Sequence, residues 1–168
     1  MEFRKAAAED VAEIMPIIQE AQQQFRERNI SQWTDGYPDE ATISEDIRRG
    51  ESYVLTESGK IIASTVISPR EEMTYRTIYE GEWMSREDYL VIHRLAVKND
   101  RKKQGLASLL LKETEKMARD RAIPSVKVDT HERNVPMQQL LLSHGYTYCG
   151  VIYLTEGSKR LAYEKLVQ

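Results

Sequence analysis

Lys102-Lys103-Gln104-Gly105-Leu106-Ala107 stands between two segments of different periodicity. Before it, Tyr89-Leu90-Val91-Ile92-His93-Arg94-Leu95-Ala96-Val97 is an apolar, β-branched run that reads as a buried strand. After it, Leu106 to Arg119 carries Leu106, Leu109, Leu110 and Met117 at helical spacing. A strand feeding a basic, glycine-containing turn and then a helix makes an anion site. The first amides of a helix have no intrahelical acceptor, and the helix dipole favours negative charge there. Gly105 lets backbone approach a ligand where a Cβ would collide. Arg101, Lys102 and Lys103 add positive charge. The segment is suited to hold phosphate.

Upstream, Glu2 to Ala6 alternates as a short strand. Ala8 to Arg28 reads as a helix with Val11, Ile14, Ile17, Ile18, Ala21 and Phe25 on one face. Pro16 is expected to kink it or to set its first part apart. Asn29 to Pro38 reads as a loop. Glu40 to Arg49 reads as a short helix closed by Gly50. Ser52 to Glu57 and Lys60 to Ile67 form a hairpin turning at Ser58-Gly59. Pro69 to Asp88 is polar with scattered aromatics, and its pattern fits either strand extensions or a loop. Downstream come a strand (Ser125 to Thr130), a helix capped by Asn134 and closed by Gly145, and two strands (Thr147 to Leu154, Lys159 to Leu166) turning at Glu156-Gly157. The order is β-α-α-β-β-β-α-β-α-β-β, with no repeat or linker, so a single domain spanning residues 1–168 is expected.

Three segments in this order resemble the GNAT N-acetyltransferases. Lys102 to Ala107 resembles the family's acyl-CoA pyrophosphate loop, with Lys102 where Arg or Gln is usual, which keeps the charge but loses the planar fork. His93-Arg94-Leu95-Ala96-Val97 resembles its bulged central strand. Asp129-Thr130-His131-Glu132-Arg133-Asn134-Val135-Pro136-Met137, then Leu140 and Gly145-Tyr146, resembles its second cofactor segment. The resemblance runs from Phe3 to Leu166. It implies an α/β fold of mixed type: a central, twisted, mixed sheet of about seven strands, splayed between the fourth and fifth and flanked by about four helices. It implies acetyl-CoA as cofactor, held by Leu95, Ala96, Val97, Lys102, Lys103, Gln104, Gly105, Leu106, Ala107 and Asn134. The activity implied is transfer of the acetyl group to a primary amine of a small molecule or peptide, directly, in a ternary complex.

That chemistry needs a neutral amine, a stabilised oxyanion and a leaving thiol. Backbone amides of Leu95 and Val97 are the candidates to polarise the thioester. His93, near the bulge, is the candidate base because imidazole titrates near neutrality; Glu82, acting through water, is its rival. Asp129 and His131, at a strand end, are read as serving loop geometry. Many family members carry Tyr as proton donor where this chain has Leu141. A thiol pKa of about 8.5 makes thiolate a tolerable leaving group without it, and Tyr146, Tyr148, Tyr153 or water are the alternatives. Leu141 also sustains a second reading, an acyl-CoA-binding sensor without catalysis. Trp33, Tyr37, Tyr79 and Trp83 lie in loop-like segments, where aromatics line pockets, and are candidates to hold the acceptor.

Charge and composition exclude other classes. The chain has 168 residues and a formal charge of 24 − 27 = −3, so no global basic field argues for nucleic acid or membrane. One cysteine, Cys149, forms no internal disulfide. The three histidines show no metal-ligand spacing, so no metal is expected. No apolar stretch reaches spanning length, and Met1-Glu2-Phe3-Arg4 is no signal peptide. A cytoplasmic protein is expected, with a homodimer as the candidate assembly. A nucleotide-hydrolysing P-loop is excluded because the turn lacks the Gly-Lys-Ser/Thr ending.

Overall fold

A computed structural model describes residues Met1 to Gln168. Seven strands are β1 (Glu2–Lys5), β2 (Ser52–Glu57), β3 (Lys60–Ser68), β4 (Tyr89–Val97), β5 (Ser125–Thr130), β6 (Thr147–Tyr153) and β7 (Lys159–Leu166). Four helices are α1 (Val11–Glu27), α2 (Glu40–Arg48), α3 (Leu106–Asp120) and α4 (Val135–Ser143). The sheet order is β1-β2-β3-β4-β5-β7-β6. Pairing is antiparallel at β1–β2, β2–β3, β5–β7 and β6–β7 and parallel at β4–β5, so the sheet is mixed as expected. The chain folds as two compact units: Met1–Ile67 with His93–Leu110, and Ser68–Ile92 with Leu111–Gln168.

In the first unit, period-two alternation along the strands builds two apolar clusters. Val54, Ile61 and Ala96 pack with Ile14, Ile17 and Ile18 of α1 and Ile43 of α2. Leu55, Ile62 and Ala63 pack with Leu106 and Leu110 of α3, joined by Leu95 and Val97. Adjacent residues of β4 therefore serve opposite faces. A bulge in the β2–β3 hairpin, where Leu55 faces Ala63 but Thr56 faces Ile61, puts Ile62 and Ala63 into one cluster.

Helix α1 carries Pro16 within its span. It is preceded by a 3-10 turn (Ala8–Asp10) but runs unbroken through Pro16. Pro16 removes the donor for the Ala12 carbonyl. Both residues are exposed, so water can serve that carbonyl. Asp10, 8% exposed, fixes the entry to the helix. It accepts from Arg4 at 2.7 and 3.2 Å and from the Ala7 amide at 2.7 Å. The Arg4 guanidinium holds this carboxyl below its ordinary pKa. The carboxylate contribution is thus complete above the unfolded value, about pH 4, and lost as pH falls through the lower folded value. Asp10→Asn should cost about 1.5–3 kcal/mol at pH 7. In urea melts the gap to wild type should close on acidification.

The second unit holds β5, which pairs with the first half of β4 through Tyr89↔Ser125, Leu90↔Val126 and Val91↔Lys127, and along its full length with β7. Pairing with β4 ends at Val91↔Lys127 although β5 runs on to Thr130. Residues 69–88, which the sequence left between strand and loop, form a loop with a short 3-10 turn (Met73–Tyr75). Individual contacts tie it down. Tyr75 donates to Asp129 Oδ2 at 2.6 Å, Trp83 Nε1 to Tyr75 O at 2.8 Å and the Met84 amide to Glu164 Oε1 at 2.7 Å. Tyr79 and Val151 exchange backbone bonds of 2.8 Å. The ammonium of buried Lys127 lies 4.3 and 4.2 Å from the ring centres of Trp83 and Tyr89. No helix is long and apolar enough to cross a membrane.

Candidate active site

In the first unit, β4 changes hand at one residue. Arg94 has φ +50° inside the strand, a left-handed conformation that disfavours an L residue and interrupts the regular strand backbone. His93, Leu95 and Val97 are half-buried and Ala96 is buried. The His93 carbonyl accepts from Thr65 Oγ1 at 3.2 Å. With the side chains of Leu95, Ala96 and Val97 committed to the two clusters, only their backbone is left for a ligand.

Beyond β4, a 3-10 turn (Asn99–Arg101) leads into the basic turn. Lys103 at φ +62° and Gly105 at φ +79° bend the chain so that α3 starts at Leu106. The first bond into the helix is Leu109 N to Gly105 O at 3.0 Å, so the amides of Leu106 and Ala107 lie ahead of it. A Cβ built on Gly105 meets no atom within 4 Å, so the space over this glycine is open. A pyrophosphate fits these residues: outward amides, a helix N-terminus and an unfilled approach.

The three cations of the turn differ in their duties. Arg101 pairs with Glu57 at 2.5 Å and donates to Gln104 Oε1 at 2.9 Å, so it orders the turn. Lys102 reaches back to Gln24 Oε1 of α1. Burial, then the neighbouring Arg28, hold its ammonium below the ordinary lysine pKa. Lys103 and Gln104 are exposed.

Arg94 is the residue that sequence reasoning missed. Its Nε and Nη2 donate to Asp46 Oδ2 and Oδ1 at 2.8 and 2.6 Å, and its Nη1 donates to the Tyr37 hydroxyl at 2.9 Å. An arginine within an apolar strand was the available signal, because such a charge needs a buried partner. Tyr37 is 46% exposed. Trp33 instead packs edge-on against Phe25 at 5.6 Å and joins the α1–α2 cluster.

In the second unit, Asn134 caps α4, its side chain accepting from the Met137 amide at 3.4 Å. His131 shapes the turn before it: Nδ1 accepts from the Arg133 amide at 3.0 Å and the carbonyl from the Asn134 amide at 2.9 Å. Burial lowers the pKa of His131. Asp129 anchors the loop through Tyr75, and burial raises its pKa against the opposing effect of that bond. Glu82 is exposed. Tyr79 is half exposed, its ring edge-on to Tyr153, whereas Trp83 packs with Tyr75, Val91 and Ile152.

Leu141 is fully buried. Among the alternative donors, Tyr148 and Tyr153 are exposed. Tyr146 is buried, and burial followed by the Glu115 carboxylate raises its pKa strongly. Cys149 is buried, and burial pushes its thiol up to about 11. The fold thus gathers His93, Leu95 to Val97, Lys102 to Ala107, Trp33 and Tyr37 in the first unit. Glu82, Tyr79, Trp83 and Asn134 lie in the second.

A family model described as the acetyltransferase (GNAT) family matches residues 15–146. An acetyltransferase of the GNAT family from Streptococcus agalactiae 2603 superposes with a TM-score of 0.90 at 34% identity, covering 99% of this chain and 95% of that one. Two further structures share the fold. A GNAT-family acetyltransferase from Listeria monocytogenes 4b F2365 has a TM-score of 0.77 and 21% identity, covering 99% and 94% of the two chains. The yncA protein of Salmonella typhimurium, solved with its cofactor acetyl-CoA, has a TM-score of 0.70 and 15% identity, covering 100% and 94%. No curated protein matches the chain significantly.

Proposed function

Because the chain belongs to the acetyltransferase (GNAT) family, whose cofactor is acetyl-CoA, we propose that it is an N-acetyltransferase, with residues 1–168 acting as one transferase domain. It passes the acetyl group directly to a primary amine of a small molecule or peptide. The observation that carries this reading is the succession of a left-handed backbone at Arg94, the basic turn and the open, left-handed Gly105 ahead of α3.

Acetyl-CoA supplies an activated thioester and a thiolate leaving group of modest basicity. The amides at the start of α3 and the exposed Lys103 hold its pyrophosphate; in the second unit Asn134, the α4 cap, is a further candidate cofactor contact. Backbone of Leu95 to Val97 binds and polarises, because side chains there are packed away. His93 takes the proton from the ammonium form of the acceptor, with Glu82 as the rival base. Direct transfer fits Cys149: a thiol pushed up to about 11 is a poor nucleophile near neutrality. Among the loop aromatics, Tyr37 in the first unit retains an exposed ring for an acceptor, as does Tyr79 in the second.

The test is thiol release from acetyl-CoA across amines, polyamines and peptides. Wild type should release thiol only when an acceptor is present. His93→Gln should lower kcat by about 100-fold with acetyl-CoA affinity and melting temperature unchanged. A loss of stability with an intact rate would make His93 a packing residue. Leu141, buried where the family's usual donor stands, favours one competing reading. Tight acetyl-CoA binding without acceptor-dependent release would make the protein an acyl-CoA sensor.

A further inference from the structure

We propose that Arg94 is a positioning residue that sets the acceptor-facing ring of Tyr37 relative to the β4 backbone; this rests on the transferase reading above. Arg94 is the one non-glycine residue inside a strand with a left-handed backbone. That conformation needs an outside hold, and the guanidinium provides it. Two of its nitrogens grip the Asp46 carboxylate as a fork at 2.6 and 2.8 Å. Side-chain exposure is only 15% for Arg94 and 5% for Asp46. A paired, desolvated fork has one geometry, so α2 fixes where the third nitrogen points. It donates to the Tyr37 hydroxyl at 2.9 Å.

The loop carrying Tyr37 is tied independently on its far side. Gln22 Nε2 donates to Pro38 O at 3.1 Å, and Asp39 caps α2 by accepting from the Thr42 amide and hydroxyl at 2.9 and 2.7 Å. These bonds fix the backbone but leave the direction of the phenol to Arg94. The ring stays half exposed while its hydroxyl is held. A ring held at both ends, yet open on its surface, can contact a ligand at low ordering cost. One side chain thus holds the left-handed turn of backbone whose following residues meet the thioester and also orients an aromatic offered to the amine.

Kinetics of Tyr37→Phe, Arg94→Gly and the double variant test this, using the best amine from the thiol-release panel. Tyr37→Phe removes only a half-exposed hydroxyl and leaves the buried Arg94–Asp46 pair intact, so it folds. Glycine at position 94 keeps the left-handed backbone accessible while removing the guanidinium. Each single variant should raise the acceptor KM by about tenfold, with the acetyl-CoA Kd within about twofold of wild type. The double variant should be no worse than the worse single in acceptor KM, since each single already removes the shared Arg94–Tyr37 bond. If Arg94→Gly does not fold, the KM split in Tyr37→Phe decides alone. An unchanged acceptor KM in Tyr37→Phe, or a double variant whose effects multiply, overturns this inference and leaves the transferase reading standing. No turnover by wild type with any amine overturns the proposed function, and this inference with it.

Discussion

Glu164→Ala should destabilise the protein by about 3–5 kcal/mol. Glu164 lies on β7 and is fully buried. Its Oε1 accepts from the Met84 amide at 2.7 Å and its Oε2 from Ser125 Oγ at 2.5 Å. It is also the cross-strand neighbour of Lys127. Burial lowers the lysine pKa and Glu164 opposes that shift. Truncation would leave two donors without an acceptor and a buried cation without its carboxylate neighbour. Lys127→Met keeps an unbranched chain among Trp83 and Tyr89 and removes the charge. The double variant should therefore be more stable than the sum of the single losses predicts. Urea unfolding checks both statements. A loss below about 1 kcal/mol for Glu164→Ala would mean water already serves these groups.

Gly81→Ala should cost about 3 kcal/mol or detach the 79–84 segment from β6. At φ +159°, a Cβ on Gly81 would stand 2.0 Å from the Cys149 carbonyl oxygen and 2.9 Å from its carbon. Those are backbone atoms of a paired strand and cannot swing aside as a side chain could. The approach is reciprocal, since a Cβ on Gly150 would meet Tyr79 O at 2.5 Å. The Tyr79 and Val151 amides, bonded at 2.8 Å, report on it. Their hydrogen exchange should accelerate sharply in Gly81→Ala. Unaltered exchange and stability would show that the two backbones separate without penalty.

Much of the fold was legible because its signals are local. Ser58-Gly59 with φ of +50° and +75° turns a hairpin between apolar runs, Asn134 caps α4, and the Leu spacing after Gly105 places α3. The strand, basic turn and helix are contiguous in sequence, so the candidate cofactor site could be read with them. The 69–88 loop was not legible, because each of its anchors uses different chemistry and none recurs at a period. Tyr75 reaches Asp129 across 54 positions and Met84 reaches Glu164 across 80. Arg94 hid for the same reason: Asp46 is 48 positions away. Trp33 and Trp83 show that a loop aromatic can also serve packing, which periodicity does not reveal. Both lie in irregular segments, yet each packs against an apolar cluster.

Acetyl-CoA binding to wild type and to Gly105→Glu, followed by melting temperature and by calorimetry, tests the central claim most directly. A ligand that binds only the folded state stabilises it by about 2.7 kcal/mol at a hundred times its Kd, so wild type should show a clear, concentration-dependent shift. The open space over Gly105 lets the larger side chain in without a clash against the protein, although the left-handed backbone costs about 1–2 kcal/mol. Gly105→Glu should therefore fold, melt somewhat lower and lose the acetyl-CoA shift, because a carboxylate would stand in the proposed pyrophosphate site. A folded Gly105→Glu protein that binds acetyl-CoA as wild type does would place the cofactor elsewhere and contradict the account.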